Sequence, residues 1–527
     1  MKFSKKVLPM VLAMAMVPAM SMTAFASNAS TPTTASTTVD ISKHTFYAYQ
    51  IFTGTLVEGT NTLSDVKWGD GVNSTDLLKA LKVPKTFSDG VDFSKCSTPA
   101  DVADIVGKWS DNSNNAKTFA KLVAANLTDV KTVGTESGKA TLPKAGYYLI
   151  VDATAVSSKD DASNLSLLEV SKAETVTVRN KTSKTTLEKK VKDVNDSVLN
   201  SETTWQDSAD YDIGDHIPYQ LTATLGDLEN YDTYKLVFHD EMTHLKLDEN
   251  CEYSEHALKV KVGDRELNDN EYALNVNQNK NAFDITIADV KTLGGAEGMN
   301  VTVEYYAILG ADAVIGATGN PNTSYLEYSN NPNKDGLGKT APDKNIVFTY
   351  SVIANKKDED GNPLAGAAFE LWKKDAAGKW NSVKVIGATK TNDPNTGKDV
   401  YTQTETEKNN KIFEFKGIDD GEYKLSEVVT PSGYNSISDI TFTVIAGHDI
   451  LADNPQLRSL TAGELFIAQT ESGKFTGAVT ADIVNKSGSQ LPETGGIGTT
   501  IFYVVGVILM LGAGVLLVTK KRMSSNR

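Results

Sequence analysis

The chain has 527 residues and a formal net charge of −15 at pH 7, and 23% of its residues are charged. This acidic balance excludes electrostatic binding to nucleic acid or to anionic lipid, because both need clustered lysine and arginine. The only two cysteines, Cys96 and Cys251, exclude a disulfide framework, so the stability of the fold must come from other sources.

The chain begins with the pattern of a secretory signal peptide over residues 1–26. Basic residues precede an apolar run from Val7 to about Met20, and Ala24-Phe25-Ala26 offers the small-residue pattern that a signal peptidase recognises. We therefore expect cleavage after Ala26 and export of the rest. Residues 27–38 follow as a leader rich in Ser, Thr and Ala, which we expect to be flexible.

Most of the exported chain has the pattern of an all-β protein. Short runs alternate between apolar and polar residues, and Gly, Asn, Asp and Pro separate them, as is typical of strands joined by turns. The clearest runs are Thr175–Arg179, Tyr219–Leu225, Val301–Tyr306 and Ile440–Ile445.

Small local helices are predicted only in the first third, over Thr75–Leu81 and Ala116–Ala125. Turn-rich breaks divide the exported part into three domains. The predicted ranges are 39–180, 181–345 and 346–490.

Two runs of the middle domain place charged residues on strands. In Leu187–Lys192 the side chains of Leu187, Lys189 and Val191 share one strand face. The alternating run Tyr234–Asp240 ends on an acid, and Tyr325–Pro332 is interpreted as the final strand and turn of this domain.

The last domain places a carboxyl group among apolar neighbours. In Tyr423-Lys-Leu-Ser-Glu427 the alternate residues Tyr423, Leu425 and Glu427 lie on one face of a strand. Because burial disfavours the charged form of a carboxyl group, we expect Glu427 to be protonated and to donate a hydrogen bond.

The chain ends with a short motif, an apolar run and a basic tail. The motif is Leu491-Pro492-Glu493-Thr494-Gly495, and the apolar run extends over 501–518. This run is just long enough to span a bilayer, and the basic tail, 519–527, would remain in the cytoplasm.

The order of these C-terminal features resembles the cell-wall sorting signal of Gram-positive surface proteins. In such proteins a sortase cleaves between the Thr and the Gly of the motif and passes the Thr carbonyl group to an amine. The resemblance implies cleavage after Thr494, so that retention in the membrane is transient.

Three segments of the last domain resemble the first strand, the E-box and the last strand of B-type collagen-adhesin domains in Gram-positive pilins. They are residues 356–371, 423–434 and 481–485. Residues 140–152 resemble the strand pair that closes a pilin N-terminal domain. The resemblance is to sortase-assembled backbone pilins, and it implies an all-β chain of tandem immunoglobulin-like (collagen-adhesin A/B-type) β-sandwich domains, with small local helices in the N-terminal domain.

In that family a Lys and an Asn of one domain fuse spontaneously into an isopeptide bond, assisted by an acid. The matching residues of the last domain are Lys356, Asn485 and Glu427. Lys357 is the weaker candidate because alternation points it away from the face that Lys356 shares with Val352.

The resemblance implies a second bond in the middle domain, between Lys189 and Asn330 with Asp240 assisting. Alternation alone leaves Lys190 and Asn322 open as alternatives. We predict no such bond in the N-terminal domain.

Lys181 lies where backbone pilins carry the lysine that attacks the next subunit's Thr carbonyl. The usual Tyr-Pro-Lys core of that pilin motif is replaced by Arg179-Asn180-Lys181. Lys184 remains an alternative.

The implied function is that of a structural subunit of a covalently polymerised pilus, secreted and anchored to the cell wall, which supports adhesion. The implied partners are a class C sortase, a housekeeping sortase, copies of the same chain, tip and basal pilins, peptidoglycan, and a host or bacterial surface ligand. The alternative is a monomeric wall-anchored adhesin or a minor pilin. The sequence carries none of the common catalytic, cofactor or metal motifs, so we predict neither an enzyme nor a cofactor or metal site.

Overall fold

The computed structural model describes the ranges 42–57, 62–110, 113–154, 166–170, 174–178, 183–199, 204–249, 258–332, 335–394, 397–404 and 411–488, with residues 201, 507, 509 and 510. All of them belong to one unit, residues 37–527. The signal peptide, the leader, Lys181, the sorting motif 491–495 and the basic tail lie outside these ranges. Among the described residues, no helix combines the length and the hydropathy needed to cross a membrane.

The first region combines a sheet with three helices. A five-stranded sheet has the order β2-β1-β5-β6, with β3 also paired to β1, and β4 pairs with β7. The elements are β1 (Phe46–Leu56), β2 (Leu63–Trp68), α1 (Ser74–Leu81), α2 (Pro99–Val106), α3 (Asn114–Ala124), β3 (Thr132–Val133), β4 (Lys139–Leu142), β5 (Gly146–Asp152), β6 (Ser166–Val170) and β7 (Glu174–Thr177).

Two of these helices coincide with the predicted ones, and α2 was not predicted. The residues around its start nevertheless form a recognisable cap. Thr98 caps the helix because its side chain accepts a hydrogen bond from the backbone N–H of Asp101. The Asp101 side chain in turn accepts a hydrogen bond from the backbone N–H of Thr98, and Pro99 occupies the first turn. The helix is only eight residues long, which makes its apolar periodicity hard to detect.

The middle region is a sandwich of two sheets. Their strand orders are β14-β13-β17-β10-β8, with β12 on β17, and β15-β16-β11-β18-β20-β9, with β19 on β18. The elements are β8 (Thr186–Val191), β9 (Ser208–Asp210), β10 (His216–Thr224), β11 (Leu236–Met242), β12 (Leu245–Leu247), β13 (Leu258–Val262), β14 (Arg265–Glu266), β15 (Ala273–Val276), β16 (Ala282–Ile287), a 3-10 turn (Val290–Leu293), β17 (Asn300–Leu309), β18 (Asn320–Ser329), β19 (Leu337–Lys339) and β20 (Asp343–Phe348).

The core of the middle sandwich lies between its two sheets. Leu221 and Val303 come from one sheet, Phe238 and Ile285 from the other, and all four are buried in one cluster. The alternation of each strand explains this, because every second side chain turns toward the facing sheet.

The last region is a second sandwich. Its sheets have the orders β26-β21-β31-β30 and β24-β25-β22-β27-β28-β29, with β23 on β22. The elements are β21 (Tyr350–Lys357), β22 (Ala368–Lys374), β23 (Trp380–Ser382), β24 (Thr389–Asn392), β25 (Asp399–Thr404), β26 (Ile412–Ile418), β27 (Gly421–Val429), β28 (Ile440–His448), β29 (Leu457–Thr461), β30 (Ile467–Glu471) and β31 (Lys474–Val484).

The predicted fold class is confirmed, since the described chain is built mainly from strands arranged in packed sheets. In the last sandwich, Phe369 of one sheet meets Phe413 of the other edge to face, with ring centroids 4.9 Å apart. The domain boundaries remain predictions.

Candidate cross-linking sites

Two neighbouring strands bring Lys356 and Asn485 together. The strands β21 and β31 run parallel, and Lys356 pairs in register with Ile483. Asn485 follows the end of β31, two residues beyond Ile483 and therefore on the same side of the strand. Alternation along β21 also directs the Lys356 side chain into the core beside Val352.

Three polar side chains meet at this point inside the sandwich. Lys356 Nζ lies 2.6 Å from Asn485 Oδ1 and 3.9 Å from Glu427 Oε1. Asn485 Nδ2 donates to both carboxyl oxygens of Glu427, at 3.1 and 3.0 Å. The side chains of Lys356 and Glu427 are 0% exposed, and Asn485 is equally buried. The amine, the carboxamide and the carboxyl group thus form one enclosed triad.

Burial changes the acid–base behaviour of the Lys356 amine. It lowers the pKa of Lys356, and the neighbouring Glu427 opposes this shift only in part. The amine therefore has a larger neutral fraction than a solvated lysine, and the neutral form is the nucleophile.

Glu427 is held in place by two further donors. The Thr430 hydroxyl and the backbone N–H of Ile437 donate to Glu427 Oε2 at 3.3 and 3.4 Å. The adjacent Lys357 lies on the other face of β21 and contacts Asp482 at 2.6 Å, so it is not part of the triad.

A second buried group lies in the middle sandwich around Lys189. Its Nζ contacts Asp240 Oδ2 and donates to the Tyr305 hydroxyl at 2.8 Å. That hydroxyl donates to Asp240 Oδ2 at 2.9 Å and accepts from Asn322 Nδ2 at 2.9 Å. All four residues are at most 3% exposed, so the group is closed to solvent.

Burial acts on both ionisable partners of this second group. It lowers the pKa of Lys189, with Asp240 opposing, and it raises the pKa of Asp240, with Lys189 opposing. Both shifts favour a neutral amine beside a protonated carboxyl group.

The structure does not bring Asn330 to Lys189. In the register of β11 with β18, Asp240 lies opposite Ser324, whereas Asn330 follows the far end of β18. Asn330 lies six positions beyond Ser324, which in extended strand is a distance of about 20 Å. The assignment of Asn330 is therefore corrected to the alternative, Asn322, which lies two residues from Ser324 on the same buried face.

The other middle-domain alternative, Lys190, does not enter the buried group. It turns to the opposite face of β8 and contacts Asp207 at 2.6 Å. Lys184, the alternative linkage lysine, is half-buried between β7 and β8.

Sequence reasoning missed Tyr305. The alternation of Val301–Tyr306 predicts that Tyr305 points inward, and a buried phenol needs a polar partner. That signal indicates a polar group in the core but does not identify which residues form it.

Comparison with known families agrees with this architecture. Residues 350–454 match the model of the SpaA prealbumin-like fold domain, and residues 483–525 match the LPXTG cell wall anchor motif. The fold and these matches define a cell-wall-anchored surface protein that carries a prealbumin-like β domain. The prediction of a sorting signal at residues 491–495 is thus confirmed.

Particular relatives can be named. The sequence is 26% identical over 289 residues to the trypsin-resistant surface T6 protein of Streptococcus pyogenes serotype M6, a match that spans 43% of this chain and 49% of that protein. The T6 backbone pilin structure from the same serotype is 17% identical, covers 86% of this chain and 98% of its own, and has a TM-score of 0.46. The full-length major pilin SpaD of Corynebacterium diphtheriae is 16% identical, covers 85% and 93%, and has a TM-score of 0.43.

Proposed function

We propose that this chain is a backbone subunit of a covalently polymerised pilus whose sandwiches are each closed by a Lys–Asn isopeptide bond. The observation that carries the proposal is the buried triad of Lys356, Asn485 and Glu427, with amine and carboxamide 2.6 Å apart. The wall-anchor match and the T6 relative support the same function.

Bond formation in the last sandwich needs only these three residues. The neutral Lys356 amine attacks Cγ of Asn485, and the Nζ–Cγ bond forms as the Cγ–Nδ2 bond breaks. Glu427 accepts the proton that Nζ loses and passes it to Nδ2, which both its oxygens contact, so that Nδ2 leaves as ammonia. Ammonia leaves, and the enclosed fold supplies the proximity that makes this slow reaction feasible.

The middle sandwich performs the same reaction with Lys189 as nucleophile and Asn322 as acceptor. Asp240 takes the role of the acid, and the Tyr305 hydroxyl links it to the Asn322 carboxamide. Tyr305 is a positioning residue, because it aligns acid and carboxamide without forming or breaking a bond.

Apart from Lys184, the residues proposed for polymerisation lie outside the described ranges. A sortase of the class C type cleaves after Thr494 and transfers the acyl group to Lys181, or to Lys184, of the next copy. A housekeeping sortase then joins the fibre to peptidoglycan. Tip and basal pilins and a surface ligand complete the set of proposed partners.

Cell-wall extracts of the producing bacterium test the polymer directly. Antibody to this chain should reveal a ladder of high-mass species that survives boiling in detergent, and Thr494→Ala should abolish it. Lys181→Arg and Lys184→Arg, made separately, identify the linkage lysine. A single wall-linked band in the wild type would overturn the fibre and leave the monomeric adhesin or minor pilin.

A further inference from the structure

A dense group of acids, most of them partly or fully buried, lies where the middle and last sandwiches meet. Seven carboxyl groups interact electrostatically there, and Lys373 and His448 are cationic side chains that act on them. The acids are Asp193, Asp196, Asp210, Asp212, Asp215, Asp419 and Asp420.

One half of this junction is already neutralised by an ammonium group. Lys373 Nζ lies 2.5 Å from Asp196 and 2.9 Å from Asp212, and it also contacts Asp419. The amine occupies the position that a cation would take between these three carboxylates.

The other half is organised around His448. Its Nε2 lies 3.7 Å from Asp193 Oδ2 and 3.8 Å from Asp210 Oδ1, which is too far for a hydrogen bond. One ligand atom from each of the three residues lies within 4.8 Å of the others. In a tetrahedral site with bonds of about 2.1 Å the ligand atoms are about 3.4 Å apart, so this spacing is close to that of a metal coordination shell.

The hydrogen bonds of Ser208 fix the tautomer of His448. The Ser208 hydroxyl donates its single proton to the backbone carbonyl of Asp449 at 2.6 Å, so it must accept from Nδ1–H of His448 at 2.7 Å. Burial lowers the pKa of His448, but Asp210 and Asp193 raise it overall, so in the metal-free chain Nε2 carries a proton that a metal ion would displace. Loss of that proton leaves the Nε2 lone pair directed toward the two carboxylates. This is the tautomer and outer-shell contact that a metal-binding histidine uses.

Two buried polar atoms at this point lack a hydrogen bond of good geometry among the described residues. They are Asp210 Oδ2, in a side chain that is 4% exposed, and the hydroxyl of Tyr350, which is 1% exposed. Asp210 and Asp193 both act electrostatically on Tyr350, and Asp210 also contacts the Tyr350 hydroxyl. Buried polar atoms are rarely left without a partner, and a bound ion can supply one.

We propose that Asp193, Asp210 and His448 bind a divalent transition-metal ion of the Zn²⁺ class, which joins the middle sandwich to the last one. Two carboxylate oxygens and one imidazole nitrogen suit such an ion, whereas Ca²⁺ prefers oxygen ligands alone. The ligand residues come from the loop after β8, from β9 and from the end of β28, so no local motif reveals them in the sequence.

Cobalt and zinc titrations of the tag-free chain, residues 27–494, test the site. Co²⁺ should bind with one site per chain and give visible d–d absorption, and Zn²⁺ should displace it and raise the melting temperature. His448→Gln and Asp193→Asn should remove the absorption and the shift. Ser208→Ala should lower Zn²⁺ affinity by about 10–100-fold through its outer-shell contact.

His216→Gln is the matched control, because His216 is a histidine beside an acid, Asp248, with 58% of its side chain exposed. It should bind metal like the wild type. Near-UV circular dichroism of each metal-free variant establishes that it is folded. The proposal is overturned if folded wild type gives no Co²⁺ absorption, if His448→Gln binds like the wild type, or if only Ca²⁺ raises the melting temperature. None of these results depends on pilus assembly.

Discussion

Lys356 and Asn485 are 129 residues apart in sequence, yet their side chains meet at 2.6 Å because β21 and β31 are adjacent parallel strands. A bond between these two side chains closes nearly the whole last sandwich into a covalent ring. Lys189 and Asn322 have a similar relation in the middle sandwich through Tyr305.

Mass spectrometry of residues 27–494 should show the loss of two ammonia equivalents. We expect Lys356→Ala and Lys189→Ala each to prevent the loss of one ammonia equivalent. Asn322→Ala should also prevent the loss of one ammonia equivalent. Asn330→Ala should still lose both equivalents, since Asn330 lies at the far end of β18. If Asn330→Ala instead prevented the loss of one ammonia equivalent, this result would contradict the corrected assignment.

Glu427→Ala should leave Lys356 and Asn485 unlinked, because the proton relay to Nδ2 is removed. The free energy of unfolding of the last sandwich should fall by roughly 5 kcal/mol, the scale expected for a cross-link that closes a loop of this length. Intact mass and denaturant unfolding measure the two effects. Glu422→Gln is the matched control, since Glu422 lies on the same strand but contacts Lys374 at the surface; it should remain linked.

Lys373 should remain unmodified despite its burial. Burial disfavours the charged form of the Lys373 amine. Neighbouring groups nevertheless raise the pKa of Lys373, and they are Asp212, Tyr423, Asp419 and Asp196. The amine therefore stays protonated and is not a nucleophile. Peptide mapping should recover it as a free lysine.

Lys373→Met should destabilise the junction by about 3–5 kcal/mol, because it leaves buried carboxylates without their cation. Lys374→Met, which removes a half-exposed pair with Glu422, should change stability by less than about 1 kcal/mol. Thermal unfolding of both variants makes the comparison. Equal effects would show that Lys373 is not the electrostatic centre of the junction.

Stability in metal-free buffer should fall as pH rises toward 8. Burial raises the pKa of Asp193 to about 8 and those of Asp215 and Asp420 to about 7. The pKa of an Asp in the unfolded chain is about 4. The folded chain therefore holds protons that the unfolded chain has released, and this stabilisation is lost as pH rises through the folded pKa values.

The measurement is the melting temperature from pH 5 to about 8.5. Asp193→Asn should flatten the decline because it removes a carboxyl group whose pKa is raised to about 8. Asp264→Asn, at an exposed position, should follow the wild-type curve. A wild-type curve that rises over this range would contradict the assigned titrations.

Strand alternation was sufficient to predict the inward faces of β21 and β27. Val352 and Tyr423 are strongly apolar, so the side chains of Lys356 and Glu427 on the same faces could be placed in the core from sequence alone. The parallel pairing that joins β21 to β31 is a long-range contact that alternation does not reveal, and the resemblance to pilins implied only that Lys356 and Asn485 meet.

The same reasoning failed at β18 because its inward face begins with polar residues. Asn320, Asn322 and Ser324 are all buried, and Pro321 lies among them, so the segment has the composition of a turn although it forms a strand. The core position of Asn322 was therefore assigned to the turn residue Asn330. The junction acids could not be predicted either, since they come from loops and strand ends that meet only in the folded chain.

The parallel arrangement of β21 and β31 also determines how tension would travel through the last sandwich. A pull enters at the start of β21 and leaves after β31, and the proposed cross-link lies near the C-terminal ends of both strands. The load would cross directly from Lys356 to Asn485 after passing along a single strand. No strand between these two residues would carry the load. These strands could therefore open locally or vary in sequence without changing the length to which the subunit extends under tension.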